Sequence, residues 1–274
     1  MNDILARMEP ITLEEMDSIK LMNRVDTKFV TSAAVLRSIL DDAAARGYRV
    51  CTIEGHRITG YLSLYYDTPA LTMYTAHQNG RKTRQKVRTR TYLVSGESFL
   101  EIKRKNNHGR TKKKRIQIPP EDFSHFGTNA EAAAFLAEKS WFTADQLQPR
   151  CTTEFERITL VNREKTERVT MDTNLHFHNM ATGRDGSLAD AVIIELKQDG
   201  RLPSPMREIL AGHRVKPYRI SKYTIGTVLT DPEAKDNRFK EKVRAIGKVT
   251  GITPATTAAA RQTAANPTHP DDNK

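Results

Sequence analysis

Residues 86–115 read KVRTRTYLVSGESFLEIKRKNNHGRTKKKR, and eleven of these thirty positions are Lys or Arg. By count alone they form a basic patch suited to a nucleic acid. By parity they form three strands. Successive side chains of a strand point to opposite faces. Lys86, Arg88, Arg90 and Tyr92 therefore share one side, with Val87, Thr89 and Thr91 on the other. Phe99, Glu101, Lys103 and Lys105 oppose Leu100 and Ile102, and Lys113, Arg115 and Gln117 oppose Ile116 and Ile118. The SGES and NNHG segments between these runs carry turn chemistry. Lys82, Arg104 and Arg110 are expected outside this shared face.

The same division recurs downstream. Ile193, Glu195 and Lys197 oppose Ile194 and Leu196, while Arg168 and Thr170 oppose Val169 and Met171. An ordinary half-buried sheet with one wet face accounts for any single strand of this kind. Like charges opposed across neighbouring strands repel, however, and five or six such strands together need a reason. A closed barrel with a polar interior supplies one, because cations lining a small barrel must hold water and an anion.

The remaining chain fits around that sheet. Residues 10–22 suggest a short amphipathic helix burying Ile11, Met16, Ile19 and Leu21. Residues 32–46 suggest a second, capped by Thr31 or Ser32 and ended by Gly47. NRVDTKFV, GYLSLYYDT, CTTEFERITLVN, ERVTMDTNLHFHN and DAVIIELKQ read as strands, and residues 129–148, SPMREILAGH and PEAKDNRFKEKVRAIGKV as helical. The expected class is α+β, with about eight antiparallel strands. The expected organisation is an N-terminal helical segment at 1–22, one domain at 23–248 and a tail at 249–274. The Ala-, Thr- and Pro-rich tail has no apolar period and is expected to be disordered.

The 274 residues carry a formal net charge of +11 and a pI near 9.6, which points to an anionic partner without naming it. Cys51 and Cys151 have no partner motif, so a disulfide framework and a zinc site are both unsupported, and a reducing compartment fits. No secretory leader and no run of about 18 apolar residues is evident, so a cytoplasmic location is expected. A membrane partner and the oligomeric state stay open. DNA is not expected as a partner. RNA binding on aromatic platforms is weakly supported, because Phe and Tyr are not interleaved with the charges at stacking spacing.

In order along the chain, RVDTKFV, YDT followed by Y..H..G, KVRTRTY, FLEIKRK, KKKRI, FERITL, RVTMDTNLHF, VIIELK and RISKYTIG resemble the VTC domain. This is the polyphosphate polymerase module of the vacuolar transporter chaperone complex and its bacterial relatives, within the triphosphate tunnel metalloenzymes. The resemblance runs from about Asn23 to Ile225 and implies an eight-stranded antiparallel β-tunnel with peripheral helices. It also implies a phosphate site built from Lys28, Arg88, Arg90, Lys103, Lys113, Arg157, Arg168 and Lys222. Arg219, Ser221, Arg115 and Lys197 would contact substrate, and Glu195 would hold a divalent metal, Mn2+ or Mg2+. The substrates implied are ATP and polyphosphate. Phe155 departs from the family pattern by lacking a phenol, and Arg219 stands where a lysine is common.

Members of the CYTH branch open on E-x-E-x-K, whereas this chain has RVDTK, with Arg24 in place of the first acid and only Asp26 remaining. That favours transfer to phosphate over hydrolysis of triphosphate or ATP. A non-catalytic polyanion-binding module is the third reading. Glu101 is expected to pair with Lys103 or a neighbouring arginine rather than bind metal, and Asp67 to form the turn ahead of Pro69; His77 and His108 could touch phosphate but are expected to be solvated loop residues outside the catalytic set.

Overall fold

The computed structural model describes residues 1–17, 24–200 and 202–251. In chain order its elements are α1 (Asn2–Ala6), β1 (Pro10–Thr12), α2 (Leu13–Asp17), β2 (Arg24–Ser32), α3 (Ala33–Ala45), β3 (Arg49–Thr52), β4 (Thr59–Asp67) and α4 (Thr72–Gln78). There follow β5 (Arg84–Tyr92), β6 (Ser98–Lys105), β7 (Thr111–Ile118), α5 (Ala130–Lys139), β8 (Gln148–Val161), β9 (Glu167–Asn179), β10 (Asp185–Leu188) and β11 (Ala191–Asp199). The chain then forms α6 (Pro205–Gly212), α7 (Lys222–Thr230) and α8 (Asn237–Thr250).

The fold is α+β. Its main sheet runs β2-β11-β9-β8-β4-β5-β6-β7, eight strands whose pairings are all antiparallel. Alternation sets the two faces. On the outer face Phe29, Ile158, Leu160, Val169, Met171, Val192, Ile194 and Leu196 pack against α1, α3 and α6 through Leu5, Leu36, Ile39, Leu40 and Leu210. Leu64, Val87, Leu100 and Ile102 pack beneath Phe126 and α5 residues Ala132 and Leu136. Both halves of the apolar face are thus covered by helices. The charged face has to satisfy itself.

It does so by curling. In a flat sheet β2 and β5, five steps apart, would be separated by about 24 Å. Instead Lys28 Nζ on β2 lies 3.3 Å from the Ile220 carbonyl, and Lys86 Nζ on β5 lies 2.7 Å from the hydroxyl of the next residue, Ser221. The cationic faces of distant strands therefore meet across a channel. The closed barrel expected from the sequence is not formed among the described residues, since β2 and β7 do not pair. The edge of β2 is occupied otherwise. Phe29 bridges Pro217, and Tyr218 N donates to the Lys28 carbonyl at 2.6 Å, so the segment leading into α7 covers that edge.

α7 stops the apolar end of the channel. Tyr223, Ile225 and Leu229 pack with Val30, Cys151, Phe155, Leu175, Phe177 and Ile193, and α8 adds Phe239 and Ile246. A Cβ at Gly226 would lie 2.6 Å from the Phe177 ring and 3.0 Å from Cys151 Sγ, so glycine permits this approach of helix to sheet.

The helix expected at 32–46 forms with Ser32 as its cap. The one expected at 10–22 is corrected. Residues 10–12 are a strand paired in parallel with β3, burying Ile11, and helix begins only at Leu13. Competition from an open strand edge wins over a short amphipathic pattern. Ile19, Leu21 and the tail beyond Gly251 lie outside the described residues.

Gly226→Ala is expected to lower stability, because overpacking costs about 1–3 kcal/mol against a helix-propensity gain of about 1 kcal/mol. A thermal melt unchanged or raised relative to wild type would contradict the close α7 contact.

Candidate functional site

The register of β5, β6 and β7 places Lys86, Lys103 and Lys113 directly abreast, and in the next row on the same face Arg88, Glu101 and Arg115. The second row alternates sign; the first does not. Glu101 is fully buried and takes Arg88 Nε at 2.8 Å and an ion pair from Lys113, so the expected arginine pairing forms, with Lys113 rather than Lys103 as the lysine partner. Burial alone would raise its pKa. Arg88, Arg90 and Lys113 instead hold it well below the usual carboxylate range. Arg88 also donates to the Tyr65 hydroxyl at 3.0 Å.

Asp172 on β9 is a second buried carboxylate, 3% exposed. Arg157 meets it with two parallel bonds of 2.6 and 2.8 Å, and Lys222 adds an ion pair. Against the effect of burial, these two cations keep it ionised. The same contacts tie the first residue of α7 to the sheet.

Other cations are less well matched. Arg90, 6% exposed, donates Nε to Ser63 at 3.0 Å and stacks on Tyr61 and Phe155, and no carboxylate pairs with it among the described residues. Neither Lys28, Lys86 nor Lys103 has a carboxylate partner there; the ammonium groups of Lys28 and Lys86 rest on Ile220 O and Ser221 Oγ. Burial, then Lys28 and Arg88, push the Lys86 ammonium well below its ordinary pKa. Arg88 and burial do the same to Lys103. Burial lowers Lys113 and Lys222 to about 8 despite their acidic partners. Four cations and the N-terminus of α7 thus converge with an excess of positive charge.

Glu195 on β11 stands opposite Lys28 and Thr170. Its pKa, which burial would raise, is pulled well below the ordinary value by Lys197, Lys28, Lys103 and Arg157, and Lys197 Nζ lies 3.6 Å away. No group of three or more His, Cys, Asp or Glu residues that could hold a metal occurs among the described residues. The protein thus offers one carboxylate here. That suits Mg2+ or Mn2+ shared with phosphate oxygens and does not suit an ion held by protein alone.

The sequence-derived set is brought together only in part. Lys28, Arg88, Arg90, Lys103, Lys113, Arg157, Glu195, Lys197, Ser221 and Lys222 share the channel. Arg168 lies level with Lys197 at the end of that face. Arg115 is exposed, hydrogen-bonded to the Tyr92 hydroxyl at 3.2 Å and stacked on Phe99. Arg219 is exposed at a mouth with Arg84, Lys105 and Lys242, whose charges it opposes. Ser221 both caps α7, accepting from Thr224 N, and accepts from Lys86. The Phe155 ring, without a phenol, is stacked by Tyr61 at 5.3 Å.

Sequence reasoning missed Lys86 and Asp172, although both have the parity of the residues it chose. Asp67 is a turn former as expected and more: its carboxylate takes Thr68 N, Met73 N and Tyr74 N, each at 2.8 Å, and the Tyr223 hydroxyl at 2.6 Å.

The family model described as the VTC domain matches residues 23–230. No curated protein matches the chain significantly. Among solved structures, a proposed adenylyl cyclase from Hippeastrum with a dominant triphosphatase activity is 13% identical, covering 76% of this chain and 96% of that one, with a TM-score of 0.49. A proposed adenylate cyclase from Bacillus halodurans is 12% identical, covering 80% and 100%, with a TM-score of 0.47. Another from Vibrio parahaemolyticus is 12% identical, covering 75% and 98%, with a TM-score of 0.44.

Lys113 and Lys222 with pKa values near 8 give the site a pH signature. An anion raises both values on binding, so affinity for inorganic tripolyphosphate should fall as pH rises through about 8. Unfolding supplies the complementary sign: these lysines bind protons more strongly in the unfolded chain, so their contribution to stability rises as pH climbs from about 8 to the ordinary lysine value near 10.5. Calorimetric titration on both sides of about pH 8 checks the first, and constant affinity would contradict it.

Proposed function

The chain belongs to the VTC domain family, and from that premise we propose that it is a phosphotransferase that moves the terminal phosphoryl group of ATP onto a growing polyphosphate chain. The observation that carries this reading is the excess of cations without carboxylate partners among the described residues, buried Arg90 and half-buried Lys28, Lys86 and Lys103, facing one channel at the N-terminus of α7. Cations lacking acids inside a fold are costly unless an anion completes them.

Phosphoryl transfer asks little covalent work of a protein. Its catalysis lies in aligning nucleophile with leaving group and neutralising charge on the transferred group. Arg90 and Arg88 present planar forks to phosphate oxygens, while Lys28, Lys86 and Lys103 act as point charges along the chain. Arg157 and Lys222 are held in place by Asp172 and keep donors beyond that contact. The attacking oxygen of a polyphosphate end is already anionic, so no general base is needed. A divalent ion held by Glu195 and phosphate oxygens would neutralise charge on the reacting group. Strand β2 carries Asp26, which faces Lys197 in register, as its one acid. That arrangement supports transfer over activation of water.

The test is incubation of purified protein with ATP and Mn2+, with products resolved by gel and by phosphate release. Long polyphosphate is the expected product. Free phosphate alone would replace this reading with triphosphate hydrolysis, and retained polyphosphate binding with no turnover would replace it with a binding module. Glu195→Ala is expected to cut metal-dependent turnover roughly 100-fold or more while leaving polyphosphate bound. Unaltered turnover would remove Glu195 from the metal assignment.

A further inference from the structure

His77 is not the solvated loop residue its sequence context suggests. It sits in the last turn of α4, its Nε2 has no solvent exposure, and that nitrogen has no hydrogen-bond partner among the described residues. A buried polar atom left unpaired in a site is a position that something outside the protein can satisfy. Its electrostatic surroundings say what. The charges acting on it come from Lys86 and Arg84 on β5, Lys105 on β6 and Lys28 on β2, and all four are positive.

Among the described residues, no acid on the other elements packed against α4 is hydrogen-bonded to this nitrogen. On β4, Asp67 is consumed by the amides at the opposite end of the helix and by Tyr223 of α7. Lys222 of α7 is paired with Asp172. Asp231 and Asp236 act on Tyr74.

We propose that His77 is a substrate-contacting residue of the channel, taking up a proton from solvent when a phosphate chain enters and donating from Nε2 to a phosphate oxygen. This rests on the reading of the channel as a phosphate site. Burial and the four cations push the free imidazole down to about 2, so at neutral pH it is uncharged. An entering polyanion reverses that field and supplies the missing acceptor in one event. Whichever ring nitrogen carries the hydrogen beforehand, the imidazolium donates from both. Lys86 is the movable part, since its ammonium rests on Ser221 at the end of a flexible stem. A lysine at position 77 would add a further cation before any anion arrives; a leucine would leave the phosphate without this donor.

The probe is inorganic tripolyphosphate, titrated calorimetrically into the full chain at about pH 6 and about pH 8 in buffers of different ionisation heat. Wild type is expected to take up more protons per bound anion than His77→Gln, by up to about one, and to gain affinity as pH falls, by up to about tenfold per unit. His77→Gln and His77→Asn both keep an N–H donor that cannot ionise, Gln at the reach of Nε2 and Asn at that of Nδ1, and both should bind without that share of the proton uptake. Histidine ring resonances of the wild-type protein, assigned by their loss in His77→Gln, should move to imidazolium values on saturation. This readout stands even where a variant folds poorly. If tripolyphosphate binds while the His77 ring stays neutral, or if the variants take up as many protons as wild type, the role of His77 falls and the channel reading survives. If tripolyphosphate does not bind wild type, both fall.

Discussion

Two buried carboxylates hold the inner face of this protein together. Glu101 sits between Arg88 and Lys113, and Asp172 between Arg157 and Lys222. Curling a sheet so that its basic face closes on itself brings like charges together, and without internal counter-charges that geometry would be driven apart. The acids cover only part of the positive charge. What they leave uncovered is the proposed phosphate site. On that reading, folding and binding draw on one electrostatic balance: enough acid to let the channel form, too little to fill it.

Asp172 has a second consequence, because Lys222 is the first residue of α7. The same carboxylate that fixes Arg157 on β8 also fixes where the helix begins, and Ser221 then presents its hydroxyl to Lys86 across the channel. Position and charge are set together. Below that point Tyr65, Tyr223 and Phe155 lead into an apolar core, so the polar length of the channel ends where α7 starts.

Strand parity made the sheet, its apolar outer face and most of the channel legible, since a period of two survives any local context. The helices of the inner face were not legible. α7 reads KYTIGTVLT, where Thr224, Ile225, Thr227, Val228 and Thr230 are β-branched and Gly226 weakens helix further. Tertiary burial and the Ser221 cap override that propensity. α4 is seven residues long and has Leu71 in a left-handed conformation at its start, so its amides depend on Asp67, which precedes the helix by five residues. No local pattern announces such a cap. Asp172 and Lys86 share the parity of the channel residues on their strands, so the same period of two places them on that face.

The seam between β2 and β7 bears on how the channel meets its ligand. In a closed barrel, strand number and shear dictate the radius, and widening it means tearing a ladder of hydrogen bonds. Here the edge of β2 is bordered by Pro217 and Tyr218, a short strap joined to the strand among the described residues by one bridge and one amide bond. The girth of the passage is consequently a soft coordinate: a bare phosphate chain and one carrying hydrated cations differ in cross-section, and the wall can yield along this line while the remaining seven strand pairings stay intact.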